Sequence, residues 1–291
     1  MIALHPFDDG YPAALREPGP GPDPLWIDGD AAILDRPSVA IVGTRRMSPY
    51  GERVARELAA ALAAAGAVVV SGLAPGIDCA AHASAVEVGG ASVAVLGEGI
   101  TSFMANANSR RRRLAVRLRE RGALVSTYPP IVPAQGWMFA KRNAVIAALG
   151  RAVVVVEAPA GSGALITAAN AVRLGRPLFA VPGPIGARTS EGTNALIAAG
   201  TARACLGADD IGEAIGVTAA RTKREADPLL DALASGPLDL DELARCTRMD
   251  HGTLRARLVT LVLSGAVADR GDGRYGRSGE SVSAGRPALA R

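Results

Sequence analysis

The run from Ser38 to Gly51, SVAIVGTRRMSPYG, constrains the fold more than any other stretch of the chain. Val39, Ala40, Ile41 and Val42 are short, apolar and mostly β-branched, the pattern of a strand buried on both faces. Gly43 permits a sharp turn without a Cβ clash. Thr44, Arg45 and Arg46 follow at the strand's carboxyl end, where open parallel sheets place their ligands. Ser48-Pro49 reads as a helix N-cap followed by proline at the first helical position. Val54, Leu58, Ala61, Leu62 and Ala65 then give that helix one apolar face. A strand end, two arginines and a helix N-terminus meet at one point, which predicts an anion site of the phosphate-binding kind. The bland alternative is that Arg45 and Arg46 are solvated turn residues. Gly43 stands without the partner glycines of a dinucleotide fingerprint. The two lysines, Lys141 and Lys223, lie outside any P-loop setting.

At 291 residues the chain has room for one α/β domain and a small second one. Aromatic residues are 3%, so the core must be built from Val, Leu, Ile and Ala. A formal net charge of +4 permits an anionic partner without demonstrating one. Cys79, Cys205 and Cys246 are scattered and odd in number, which argues against a disulfide framework or zinc cluster. No metal or cofactor is therefore expected. The amino terminus lacks a basic segment followed by an apolar one, and no apolar run reaches membrane-spanning length. A cytoplasmic protein without a membrane partner is expected.

From Ser38 onward the sequence alternates strand and helix. Strands are predicted at Ala67–Ser71, Ala91–Leu96, Ala123–Ser126, Ala152–Val156, Leu178–Val181 and Ala202–Leu206. Helices are predicted at Asp78–Val88, Arg110–Arg121, Lys141–Leu149 and Asn194–Ala199. This alternation predicts an α/β fold, a Rossmann-like doubly wound and mostly parallel sheet. Beyond it, helices at Pro228–Ala234, Leu240–Arg245 and Thr253–Ser264 precede a hairpin turning at Gly271-Asp272-Gly273. Three helices and a hairpin give a winged helix. The expected division is an N-terminal arm at 1–37 (with an edge strand at Leu25–Ile27), a Rossmann-like domain at 38–212 and a linker at 213–227. A winged-helix-like domain at 228–276 and a disordered tail at 277–291 complete it.

Three further strand ends carry residues suited to chemistry. Ser71-Gly72 is followed by Asp78 and His82, which share a helix face at i, i+4. A nucleophilic triad is one reading, although no G-x-S-x-G elbow surrounds Ser71. The other is that Asp78 caps its helix while His82 packs locally. Lys141-Arg142-Asn143 places two cations and an amide at an expected helix start, where the macrodipole disfavours them unless an anion lies nearby. Gly161-Ser162-Gly163 lets backbone N–H groups face a ligand. An ordinary glycine-rich turn is the alternative there.

Six blocks now stand in order: VAIVGTR…SPYG, SGLA.GID..AH, VLG.G, F..RN..IA.L, VVVVEA…SG.LITA..A...GRP.FAVPG and S.G.N.LI..G. Together, from about Tyr11 to Leu206, they resemble the DNA-processing protein A (DprA, also Smf) family. The resemblance implies a non-catalytic protein that binds and protects incoming single-stranded DNA and loads the RecA recombinase during natural transformation. It also implies a homodimer and, in many members, a C-terminal winged helix. By position, the DNA site would use Gly43, Thr44, Arg45, Ser71, Gly72, Lys141, Arg142, Asn143, Gly161, Ser162 and Gly163. The chain departs from the family pattern at Pro75 and Ala144, where arginines usually stand, and at Thr127, where the pattern has glutamate.

Two rivals are weighed beside this reading. One is a Rossmann-like nucleoside-phosphate-binding protein or phosphoribohydrolase, but the 161–165 loop supplies no glutamate after its glycines. The other is a transcription regulator acting through Arg255 and Arg257 of the third C-terminal helix. It is weakened by Asp239, Asp241 and Glu242 beside the turn.

Overall fold

The computed structural model describes residues 1–16, 21–217, 227–263 and 266–277. It divides into two compact units, Met1–Arg221 and Thr222–Arg291.

In the first unit one sheet contains β1 (Ile2–Leu4), β2 (Leu25–Gly29), β3 (Ser38–Val42), β4 (Val68–Ser71) and β5 (Ser92–Leu96). It continues with β6 (Ala123–Ser126), β7 (Ala152–Val155), β8 (Leu178–Ala180) and β9 (Arg203–Ala204), in the spatial order β1-β2-β6-β5-β4-β3-β7-β8-β9. The strands from β6 to β9 pair in parallel, while β1 and β2 are antiparallel additions at one edge. The order reverses between β3 and β7, which register Val42 against Val155. The helices are α1 (Pro49–Ala64), α2 (Ile77–Glu87), α3 (Ile100–Asn106), α4 (Ser109–Arg121), α5 (Gly136–Leu149), α6 (Gly163–Arg173), α7 (Glu191–Ala198) and α8 (Asp209–Ile215).

Alternation along β3 shows why Val39 to Val42 are all apolar. Ala40 and Val42 join a buried cluster with Ile146 of α5 and Ala168 of α6. Val39 and Ile41 join a second cluster with Leu58 and Leu62 of α1 and Ala81 of α2. A strand covered on both faces has no polar side to present. Small side chains dominate the helix faces, so the helices are fitted to the sheet by alanine in place of aromatic bulk.

Several boundaries differ from the sequence reading. The segment before Ser38 supplies β1 and β2, and buries Tyr11, Leu15, Leu25, Ile27, Ile33 and Leu34 in the first cluster. Helix α5 begins at Gly136, five residues before Lys141, because Pro129, Pro130 and Pro133 precede the helix and do not reach into it. Helix α6 follows directly on Gly161-Ser162, with Ser162 as its N-cap. Of the linker expected at 213–227, residues up to Ile215 complete α8, and 218–226 lie outside the described residues. The tail from 278 lies outside them as well.

The second unit contains α9 (Pro228–Ala232), β10 (Leu238–Asp239), α10 (Leu240–Thr247), α11 (His251–Leu263), β11 (Val267–Asp269) and β12 (Arg274–Arg277). Its strands form a small antiparallel sheet in the order β10-β12-β11. Asp239 closes a capping box on α10, accepting from the Glu242 amide while Glu242 accepts from the Asp239 amide. Asp250 likewise accepts from the amides of Gly252 and Thr253 at 3.0 Å. Leu229, Leu233, Leu243, Leu254, Leu258 and Val267 form its own buried core. The α/β unit with its mostly parallel sheet and the small helical unit with its hairpin match the architecture expected from the pattern.

Candidate functional site

The loops leaving β3, β4 and β7, together with the first half of α5, enclose a cavity of about 480 Å³. It lies at the reversal of strand order, where successive crossovers leave the sheet in opposite directions and open a crevice. The Thr44 amide donates to the Glu157 carbonyl at 2.7 Å, and the Val156 amide to the Val42 carbonyl at 3.0 Å. These bonds carry the β3–β7 pairing to the strand ends, so the two loops diverge from a fixed point.

The helix N-terminus singled out in the sequence already holds an anion, and the protein supplies it. Glu157 is 2% exposed and accepts from the Ser48 amide at 2.9 Å and the Ser48 hydroxyl at 2.5 Å. The Ser48 oxygen in turn accepts from the Gly51 amide at 3.1 Å, capping α1. A Cβ on Gly51 would overlap the Glu157 carboxylate, so the close approach requires glycine. The free helix terminus at the cavity is that of α6. Gly161 has φ +74°, Ser162 caps the Ala164 amide at 3.3 Å, and all of Gly161, Ser162 and Gly163 line the wall. Amide donors and the positive end of the helix dipole face the same space.

Opposite this loop stand the cations. Arg45 is exposed and lies over the Phe139 ring, 5.4 Å from its centroid. No carboxylate among the described residues pairs with it. Arg142 is different, at 4% exposure. Its Nη1 donates to the Gly72 carbonyl at 2.7 Å and to the Val95 carbonyl, and its Nε to Asn143 Oδ1 at 3.2 Å. Asn143 passes the connection on, donating from Nδ2 to the Gly163 carbonyl at 3.0 Å. Burial lowers the Arg142 pKa to about 10, with the Asp78 charge pulling it back up, so the group is cationic at neutral pH. Asp78 accepts from the Gly72 and Ala74 amides at 3.1 and 3.4 Å. Burial raises its pKa despite the field of Arg142.

Eight of the sequence-selected residues line the cavity: Gly43, Thr44, Arg45, Arg142, Asn143, Gly161, Ser162 and Gly163. Lys141 is exposed in the second turn of α5 and outside the lining, so the helix-start argument for it does not hold. Ser71 and Gly72 lie buried behind the surface. The Ser71 hydroxyl donates to the Ile41 carbonyl at 2.6 Å, and the Arg142 guanidinium occupies the space a Gly72 side chain would need.

The triad reading of Ser71, Asp78 and His82 is not realised. His82 is fully buried, with Nδ1 2.7 Å from the Ser92 hydroxyl, which itself donates to the Val69 carbonyl. Nδ1 therefore carries the proton in that bond. Burial pushes the imidazole down to about 3, so it is neutral and packed in the core at physiological pH. Of the aromatics near the rim, Tyr50 donates its hydroxyl to the Pro182 carbonyl and Trp137 stands edge-on to Tyr128 outside the lining. Phe139 is the aromatic in the cavity wall. The role of Glu157 escaped the sequence reading, since a glutamate after a strand carries no local sign that it caps a distant helix.

The sequence model for DNA recombination-mediator protein A matches residues 3–216, and that for the DprA winged helix domain matches residues 217–273. The chain is 44% identical over 191 residues to Protein Smf of Escherichia coli (strain K12), covering 65% of this chain and 50% of that protein. It thus spans half the length of that relative. It is 38% identical over 211 residues to DNA processing protein DprA of Streptococcus pneumoniae, covering 71% and 72% of the two chains. The solved structure of DprA from S. pneumoniae superposes with a TM-score of 0.67 at 36% identity over 72% of each chain. The structure of DNA processing protein A from Helicobacter pylori, described for the single-stranded DNA binding mode of that protein, gives 0.64 at 28% identity over 72% of this chain and 93% of the other. With both units matched in order, the chain belongs to the DNA recombination-mediator protein A (DprA/Smf) family.

Proposed function

We propose that the cavity at the β3–β7 reversal binds single-stranded DNA through its phosphate backbone, without covalent chemistry. The observation that carries this reading is the placement of an exposed Arg45, with no carboxylate partner among the described residues, and the amides of Gly161 and Gly163 on one open cavity. Phosphate contacts call for such donors, and the Phe139 ring in the wall holds the Arg45 guanidinium at the cavity. The nearby acids are engaged elsewhere: Glu157 by Ser48, and Asp78 by two backbone amides. Asp78 is the one carboxylate among the described residues that line the cavity, so no carboxylate pair stands beside the cations to activate water. The DNA contacts assigned here are Gly43, Thr44, Arg45, Asn143 and Gly161–Gly163, with Lys141 at the approach and Ser71, Gly72 and Arg142 holding the wall.

The delivery of that DNA to RecA during DNA uptake, by a cytoplasmic homodimer, is part of the same reading and rests on family membership. Fluorescence anisotropy with single- and double-stranded oligonucleotides of one sequence tests the binding step. Tighter binding of the single strand is expected. Equal or weaker binding of the single strand, or release of base or phosphate from nucleoside monophosphates, would transfer support to a nucleoside-phosphate site. RecA filament formation on coated single strands, with and without the protein, tests the delivery step.

A further inference from the structure

Helix α4 carries seven arginines, and the structure sorts them into two groups. Four are engaged by the fold. Arg111 donates to the Leu73 carbonyl and lies over Phe103, and Arg112 donates to the Ala105 and Ala107 carbonyls. Arg119 pairs with Asp28 at 3.2 Å, and Arg121 donates to the Gly89 carbonyl. The other three, Arg110, Arg113 and Arg117, are exposed and have no side-chain hydrogen bond or ion pair among the described residues. Their i, i+3, i+7 spacing puts them on one face. All three line a second cavity, of about 560 Å³, bounded on its other side by α1 and α2.

That cavity adjoins the first. Arg46 and Ala74 line the site described above, while their chain neighbours Met47 and Pro75 line the second. Consecutive Cα atoms are about 3.8 Å apart, so a single peptide link on each of two loops separates the two linings. The loops are locked together, since the Ile77 amide donates to the Thr44 carbonyl at 3.3 Å and Gly76 leaves no room for a Cβ against it. Five arginines (Arg56, Arg110, Arg111, Arg113 and Arg117) face two glutamates, Glu52 and Glu87, and Glu87 is already paired with Arg56. The surplus is positive, unpaired and solvated.

We propose that this groove is a second phosphate-binding tract, which takes the continuation of the same single strand after it crosses the Met47–Pro75 ridge. The proposal rests on the first cavity binding single-stranded DNA. Arg110, Arg113 and Arg117 contact successive phosphates, and the strand occupies both spaces only when it is long enough to cross the ridge.

The test is anisotropy at several salt concentrations with oligo-dT of about 5 and about 20 nucleotides, spanning the range of single-strand site sizes. It compares the wild type with the triple variant Arg110→Gln, Arg113→Gln, Arg117→Gln. The variant should bind the short strand as the wild type does. On the long strand its salt slope should fall by about 0.7 for each lost contact, about 2 in all, with a loss of at least tenfold in affinity at low salt. A control, Arg112→Gln, Arg119→Gln, Arg121→Gln, removes the same charge from the same helix and should leave the long-strand slope within one contact of wild type. Unchanged long-strand binding in the test variant overturns the tract. So does an equal loss on both strand lengths, or an equal loss in the control, which would mark a general charge effect. A wild type that binds neither strand removes the first site and the tract together, and is distinguished from the other outcomes by the wild-type data alone.

Discussion

Glu157 holds Ser48 by both of its polar groups, the amide at 2.9 Å and the hydroxyl at 2.5 Å, across 109 positions of chain. This contact fastens the end of β7 to the start of α1 and fills the α1 N-terminus with a buried acid. Glu157→Gln keeps the shape but removes the charge and turns one of the two acceptors into a donor. Charge-assisted bonds of this kind contribute about 1.5–3 kcal/mol, so a loss of about 2 kcal/mol is expected in urea unfolding. A variant as stable as wild type would show that the contact contributes nothing.

Gly72→Ala separates the wall from the surface of the site. Its Cβ would lie 2.5–2.6 Å from the Arg142 guanidinium, which is buried and bonded to the Gly72 and Val95 carbonyls. Displacing a buried cation leaves two carbonyls short of a donor, at a cost of about 2–4 kcal/mol. Unfolding should register that loss, while the salt slope of DNA binding stays at the wild-type value under conditions where the protein is folded.

Arg45→Ala should have the opposite profile. The side chain is exposed and, among the described residues, is held by the Phe139 ring, so stability should change by less than about 0.5 kcal/mol. The salt slope on single strands should fall by about 0.7, with little dependence on sequence. Wild-type affinity and slope at every salt concentration would remove Arg45 from the interface.

His82 sets a pH dependence whose sign follows from its burial. Its pKa is pushed from 6.5 down to about 3 in the fold. Between those values the unfolded chain binds a proton that the native state does not, so stability falls as pH drops from 6.5 toward 3. Asp78, on the same helix with a raised pKa, works in the other direction and softens the fall. One pH unit corresponds to about 1.4 kcal/mol for a single group. The unfolded imidazole is already half protonated at pH 6.5, so His82→Gln should lose about 1.6 kcal/mol less than wild type between pH 6.5 and pH 5, read from urea unfolding at both values. Parallel pH profiles for the two proteins would show that His82 is not the titrating group.

The two units have separate buried clusters, with Leu229, Leu233, Leu243, Leu254, Leu258 and Val267 grouped apart from the sheet. A chain ending at Val217 should unfold cooperatively and retain most of the single-strand affinity, because every lining residue of the cavity precedes that point. Calorimetry and anisotropy on that fragment check both statements. Loss of the cooperative transition would show that the sheet needs the second unit.

Local pattern alone determined the strand at Val39–Val42, the Ser48 cap and the alternation that makes a doubly wound sheet. Hydrophobic period, cap residues and turn glycines act within a few residues, so one sequence displays them. It also brought Arg45 and Gly161–Gly163 to one rim, since parallel strands place all their carboxyl ends together. Tertiary structure decided what each charge does there. Glu157 and Ser48 meet across β3 and β7, which turned an expected ligand site into an internal cap. Arg142 points inward to the Gly72 and Val95 carbonyls, while Arg45, beside the same Phe139 ring, faces solvent. The arginines of α4 look alike in sequence, and only their neighbours divide those that hold the fold from those left free. Burial and partner geometry are long-range properties, and they decide whether a charged side chain is structure or surface.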